Sequence, residues 1–184
     1  MGETRQVMLC GFAGQGIVLA GTILGHAAFK DEKWVSGTNS YGAAARGGAC
    51  RAEVVISDRP VSFPHVIETD VLVAMHQTAF NKCIGKVKRR GAVVIYDQRF
   101  VSPKEIENLK YVSVPATRAA IKEFNNGMVA NVIMLSAAVE ITKVVSKDAL
   151  KSAVGENFRE RLRELNLKAL EIGFKLGRIS SQEI

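Results

Sequence analysis

Val7-Met8-Leu9-Cys10, followed by Gly11-Phe12-Ala13-Gly14-Gln15-Gly16 and an apolar segment over residues 17–29, decides the fold. Four apolar residues suffice for a buried strand and are too few for a helix. The glycine-rich hexapeptide supplies tight-turn dihedrals and leaves backbone N–H groups uncovered. Strand, turn and helix therefore open the chain. The alternation continues outward. A strand near Lys33-Trp34-Val35 is followed by another over 50–56, closed by the turn Asp58-Arg59-Pro60. Further strands are expected over 70–75, 92–96 and 111–114, with helices over 78–88, 103–108 and 117–124. Alternation of this kind predicts an α/β protein: a three-layer α/β/α sandwich with a largely parallel or mixed central sheet.

After Asn125-Asn126-Gly127 the chain reads as wholly helical. Residues 128–145 are mostly apolar, which predicts a helix packed on both sides. Ser146 caps the next helix and Asp148 sits in its first turn, where a negative charge suits the dipole. The last segment carries Phe158, Leu162, Leu165, Ala169, Ile172 and Leu176 at 4-3-4-3-4 spacing, one stripe on one helix face. That stripe either docks on the chain's own sheet or meets another subunit. With no internal repeat or linker, residues 1–184 read as a single domain, in keeping with the length.

Composition excludes several classes. At 47% apolar, with no long segment lacking hydrophobic residues, the chain is not disordered. A membrane span takes about 20 mostly apolar residues; the richest stretch, 128–139, is shorter and contains Asn131 and Ser136. No basic-then-apolar leader precedes the first strand, and Gln6 stands where a myristoylation motif at Gly2 wants Ser or Thr. A cytoplasmic protein that engages no membrane is expected. The net charge of +7 favours phosphorylated ligands, nucleic acid or acidic proteins. Lys82, Lys86, Lys88, Arg89 and Arg90 cluster without interleaved aromatics, so they read as a solvated helix face, with no nucleic-acid partner. Cys10, Cys50 and Cys83 are scattered, whereas metal and iron–sulfur sites want closely spaced cysteines. They read as reduced, small hydrophobes, with no metal site.

Three places invite a ligand. In a dinucleotide fingerprint the glycines stand at positions one, three and six, and an acidic residue ends the second strand. Here they stand at one, four and six, as Gly11, Gly14 and Gly16, and no carboxylate follows Lys33-Trp34-Val35. No Gly-Lys-Ser/Thr follows either, which excludes a P-loop. The turn, with Gln15, still aims N–H groups and a positive helix end into one crevice. Second, Ser40-Tyr41-Gly42-Ala43-Ala44-Ala45-Arg46-Gly47-Gly48-Ala49 surrounds one aromatic and one arginine with small residues. Such a loop allows close approach while Arg46 offers a planar, permanently charged fork. Third, His76 and Gln77 end the 70–75 strand, where open α/β sheets present ligand-contacting groups. His26 reads as a buried, hydrogen-bonded core histidine, and His65 as a loop residue. No catalytic residue set is complete, which suggests a binding subunit rather than an autonomous enzyme.

The ordered motifs from Gly11 to Gly21, Ser40-Tyr41-Gly42 and Arg46-Gly47-Gly48 resemble the gamma subunit of 2-oxoacid:ferredoxin oxidoreductases. Val54-Val55-Ile56-Ser57-Asp58, the strand over 70–75 and Asn131 fit the same pattern, so the resemblance spans nearly the whole chain. Two positions depart from it: the family often carries an acidic residue near Ala44 and an Asn or Ser near His76. The resemblance implies a non-autonomous subunit of a complex that oxidatively decarboxylates a 2-oxoacid, 2-oxoglutarate or pyruvate favoured, to acyl-CoA and carbon dioxide. It implies alpha, beta and possibly delta subunits as partners, with ferredoxin reached through the complex. Thiamine diphosphate, magnesium and iron–sulfur clusters would lie elsewhere in that complex, none held by this chain alone. This subunit would help enclose the active site and admit coenzyme A. The small subunit of indolepyruvate:ferredoxin oxidoreductase and a stand-alone phosphate-ligand module are the alternatives.

Overall fold

The structure is a computed structural model that describes residues 3–41, 48–104 and 106–182. Six strands, β1 (Thr4–Phe12), β2 (Trp34–Tyr41), β3 (Ala49–Ser57), β4 (Val71–Ala74), β5 (Val93–Asp97) and β6 (Lys110–Val114), form one sheet. Its order is β2-β3-β1-β4-β5-β6. The neighbours from β1 through β6 run parallel, whereas β3 is antiparallel to both β1 and β2. The sheet is therefore mixed. The short 42–48 connection joins β2 to β3 as a hairpin would, because a parallel partner needs a crossover of a dozen or more residues.

Helices α1 (Ile17–Lys30), α3 (Ala116–Phe124), α4 (Ala130–Thr142), α5 (Lys147–Asn157) and α6 (Glu160–Gln182) pack on one face. Val7, Leu9, Val71, Val73, Ile95 and Val112 point into it. The intervening Met8, Cys10, Leu72, Ala74 and Val94 point to the other face, as the two-residue strand period requires. That face is covered by α2 (Gln77–Cys83) and by chain on either side of Val101. The expected three layers are present, and they are unequal.

Helix α4 is buried from Ala130 through Glu140, which is why its sequence shows no polar face. Ser146 caps α5 as expected, its hydroxyl accepting from the Ala149 N–H, with Asp148 in the first turn. Helix α6 crosses α4 at Gly173 and Gly177; a Cβ on Gly173 would collide with the Ile133 carbonyl and the Ser136 hydroxyl, and one on Gly177 with the Ala137 carbonyl.

Three expectations change. The buried face of α6 is Asn166, Ala169, Leu170, Gly173, Phe174, Gly177 and Ser180. The Leu162-to-Leu176 stripe runs along its flank, with Leu162 itself exposed, and Phe158 precedes the helix. Close approach to α4 selects small residues, and an apolar stripe does not reveal them. The helix expected over 103–108 does not form among the described residues there; Ile106 N–H instead donates to the Tyr111 hydroxyl (3.2 Å), and Asn108 is left-handed. The helix expected over 78–88 ends at Cys83 and tightens into a 3-10 turn at Ile84–Lys86.

Candidate functional site

The C-terminal ends of β1, β4 and β5 lie together, and the parallel run of β2 beside them brings Ser40 and Tyr41 to the same edge. Strand β1 extends through Gly11 and Phe12, so the turn into α1 is shorter than the glycine spacing suggests. Gln15 spans that turn. Its Oε1 accepts from the Phe12 N–H (2.7 Å), and its Nε2 donates to the Met75 carbonyl (2.9 Å). Gly11 must lack a side chain because a Cβ there would stand 2.6 Å from Ile17 and 2.7 Å from the same Gln15 oxygen.

Gly14 and Gly16 have φ of 98° and 75°, a region that L side chains rarely adopt. The flank of Gly14 is open: a Cβ there would meet nothing within 4 Å. The flank of Gly16 is filled by Asn131, whose Nδ2 donates to the Gly16 carbonyl (3.2 Å). Helix α1 thus begins in a turn held from β4 by Gln15 and from α4 by Asn131. Among the described residues no side chain caps it, and its first turn carries no acidic residue. Its positive end is available to an anion.

Ser40 and Tyr41 close β2, paired with Arg51 and Cys50. Gly48 accepts the Ala13 N–H through its carbonyl (3.0 Å), tying the start of β3 to the glycine turn. Gly42, Arg46 and Gly47 lie outside the described residues. His76 and Gln77 reach this edge, and both also bond to the protein around it. His76 Nδ1 accepts from the Thr78 N–H (3.3 Å), and the ring stacks on Phe12 at 4.6 Å and faces Phe100 at 6.3 Å. Gln77 accepts from the Ser102 N–H (2.7 Å) and donates to Asn81 (2.8 Å).

Arg51 also belongs to this edge, with Glu53 beside it, although no motif in the sequence marks them. They alternate with Ala52 and Val54 on β3, the one available signal that two charges face the thin side of the sheet. Glu53 is buried and lies 2.8 Å from Arg51 Nε, and its other oxygen accepts from the Val66 N–H (3.3 Å). Arg51, Ser40, Lys82, Cys50 and Cys83 line a pocket of about 220 Å³. His26 also differs from its reading: it is exposed, with Asn157 Nδ2 2.8 Å from its Nδ1. The basic cluster is partly spent on the protein itself, Lys88 on Asp70 at 2.5 Å and Lys86 near Glu53 at 3.7 Å.

All three cysteines are free and buried. Cys10 and Cys83, far apart in sequence, are neighbours under α2. Their mutual hydrogen bond and burial hold the Cys10 thiol well above its ordinary value, while that bond, helped by Arg51 and Lys86, draws Cys83 down against burial. Among the described residues, no three His, Cys, Asp or Glu side chains converge as a metal site would need, and no helix is long and apolar enough to cross a membrane.

Residues 6–176 match the family model described as pyruvate ferredoxin/flavodoxin oxidoreductase. The chain belongs to that family. It is 40% identical over 177 residues to the 2-oxoglutarate synthase subunit KorC of Methanocaldococcus jannaschii, covering 95% of this chain and 94% of that protein. It is also 36% identical to the ketoisovalerate oxidoreductase subunit VorA of Methanothermobacter marburgensis, covering 91% of this chain but 35% of that one. The crystal structure of a keto/oxoacid ferredoxin oxidoreductase gamma subunit from Geobacter sulfurreducens superposes with a TM-score of 0.85 at 33% identity, covering 97% and 98% of the two chains. The fold also recurs in 2-oxoglutarate:ferredoxin oxidoreductase from Magnetococcus marinus, with 2-oxoglutarate, coenzyme A and succinyl-CoA bound, at 22% identity and a TM-score of 0.87. This chain covers 31% of that longer one. The mixed α/β architecture and the assignment to subunits of oxoacid oxidoreductases are thereby shown.

Proposed function

We propose that this chain is the gamma subunit of a 2-oxoglutarate:ferredoxin oxidoreductase, acting as one domain in the cytoplasm. The observation that carries the reading is the end-to-end match to KorC, a subunit of the same extent. Three further relatives named as 2-oxoglutarate synthase subunits, at 34–40% identity, favour 2-oxoglutarate over pyruvate.

On this reading the crevice of Gly11, Gly14, Gln15, Gly16, Ser40 and Tyr41 faces the cleft shared with the alpha and beta subunits. Its chemistry suits coenzyme A. The open flank of Gly14 lets backbone approach a ligand, and the uncapped start of α1 favours a phosphate. Coenzyme A supplies the thiol that takes the acyl group. This chain's groups bind, orient and exclude water, while thiamine diphosphate, magnesium and the iron–sulfur clusters are assigned to partner subunits. The cysteines here are interior side chains on two faces of the sheet, a donor set that does not suit a cluster. Arg46 and its flanking glycines, between β2 and β3, are assigned to the same cleft on sequence grounds.

The test is co-purification of the complex followed by assay with a panel of 2-oxoacids, coenzyme A and a one-electron acceptor. The expected result is reduction driven by 2-oxoglutarate that requires this chain. Activity of the complex without it, or no association with a thiamine-diphosphate subunit, overturns the reading.

A further inference from the structure

A second hollow opens just past the C-terminal ends of β5 and β6. It lies between α3 and α6, about 580 Å³ in volume, beside Gln98 and Pro115. Ala119 on α3 and Ile172, Leu176 and Ile179 on α6 give it an apolar lining. This is the stripe that the sequence displays and that the fold only half uses. Leu176 and Ile172 are half-buried, and Ile179 is 45% exposed. Ile121, next along α3, is 41% exposed.

Around that lining stand Arg118, Lys122 and Lys175, against one carboxylate, Glu123. Lys122 lies 3.7 Å from Glu123, and Arg118 and Lys175 form no ion pair among the described residues. Three cations around an apolar trough select an apolar segment flanked by acidic side chains. A second copy of this chain is a poor occupant, because it brings the same cations and a net charge of +7. The chain belongs to a family of multisubunit enzymes, so another subunit is the occupant whose charge can complement the groove.

We propose that the α3/α6 groove is a subunit-docking site that seats an acidic, amphipathic segment of another subunit of the same oxidoreductase. Apolar side chains of that segment enter between Ala119 and Leu176, and its carboxylates meet Arg118, Lys122 and Lys175. The proposal rests on the functional reading above, since it takes its partner from that complex. It adds a surface built by α3 and α6, helices that take no part in the crevice.

The experiment uses the whole complex, co-expressed with an affinity tag on this chain. Two variants are made at exposed positions: Ile179→Asp, and the triple change Arg118→Glu, Lys122→Glu, Lys175→Glu. Each is first shown to melt like the wild type. Both are expected to lower the yield of co-purified subunits tenfold or more. Carbodiimide, which joins amines to carboxylates in contact, is expected to link Lys122 or Lys175 to an Asp or Glu of another subunit. Wild-type-like assembly by either variant overturns the groove proposal, and so do crosslinks that reach only a second copy of this chain. In both cases the functional reading stands. If the wild-type chain captures no oxidoreductase subunit, the functional reading fails and the groove proposal fails with it.

Discussion

On the helical face of the sheet, backbones touch through glycine; on the thin face, a short helix and an extended segment lie over thiols and ion pairs. Gly21 shows the first arrangement: a Cβ there would stand 2.5 Å from the Cβ of Ala52. Gly173 and Gly177 repeat it between α6 and α4. The thin face carries a buried Glu53 beside Arg51, a pocket of about 220 Å³, and a glycine at Gly85 with nothing within 4 Å. Dense interiors transmit strain and tolerate little added volume. One face therefore supplies rigidity, and the crevice borrows it through Asn131 on α4 and Gln15 on the glycine turn.

The most direct way to break this contrast is Gly173→Ala. Alanine improves helix propensity by about 1 kcal/mol, but overpacking a filled core costs about 1–3 kcal/mol and occasionally more. Here the obstacle includes the Ile133 backbone, which cannot rotate away as a side chain can. The expected net loss is about 2 kcal/mol, read by urea denaturation at neutral pH. A variant as stable as the wild type would show that α4 and α6 have slack.

Gln15→Ala tests whether the crevice depends on its strut. The change strips the partner from the Phe12 N–H and from the Met75 carbonyl, both part-buried. Leaving such groups unsatisfied costs about 1–3 kcal/mol. Denaturation should show a loss in the lower half of that range, and the assembled enzyme should lose more activity than stability. Retained activity would mean that the turn is held by the Met75 N–H to Cys10 carbonyl bond and its neighbours alone.

How much of this was legible beforehand differs by element. Five strands are visible because their apolar runs are local; β2 is visible only at Trp34 and Val35, since its continuation through Ser40 and Tyr41 is polar and reads as loop. The glycine turn was visible too, whereas its support by Gln15 and Asn131 comes from partners 60 and 115 residues away. Asn131 stands out in the sequence as a polar residue in an apolar helix and as part of the family pattern, but neither shows that it reaches Gly16. The α6 stripe was misread by one residue because burial there favours glycine, Asn166 and Ser180 over leucine. Cys10 and Cys83 appeared scattered for the same reason: adjacency across α2 and β1 leaves no trace in spacing. Arg46, the residue with the most chemistry in the loop motif, lies outside the described residues.

Glu140→Gln probes the one buried carboxylate on the helical face that carries a resolved shift. Burial pushes its pKa up, but the close ammonium groups of Lys147 (2.5 Å) and Lys143 (3.0 Å) outweigh that and hold it below the usual 4.5. The folded value lies below the unfolded one. The stabilisation is therefore complete above about pH 4.5 and is lost as pH falls through the folded value. The wild type should exceed the variant by about 1–2 kcal/mol at neutral pH, both lysines being partly solvated. Denaturation across pH should show that gap narrowing only on the acid side. A gap that persists into strong acid would assign the loss to packing.

The smallest effect, and the matched control for the first, is Gly85→Ala on the thin face. Gly85 lies in the 3-10 turn that follows α2, with an ordinary negative φ and open space where a Cβ would go. The added methyl displaces nothing, and it narrows the conformations open to the unfolded chain. That entropy difference stabilises by about 0.4–1 kcal/mol at compatible sites. The same Gly-to-Ala change should thus carry opposite signs on the two faces: a loss at Gly173 and a gain at Gly85, compared by urea midpoints under one condition. Because both replacements add a single methyl, the sign reports only what surrounds it. A loss at Gly85 as large as that at Gly173 would show the thin face to be as tightly packed as the helical one, and the division of labour between them would fall.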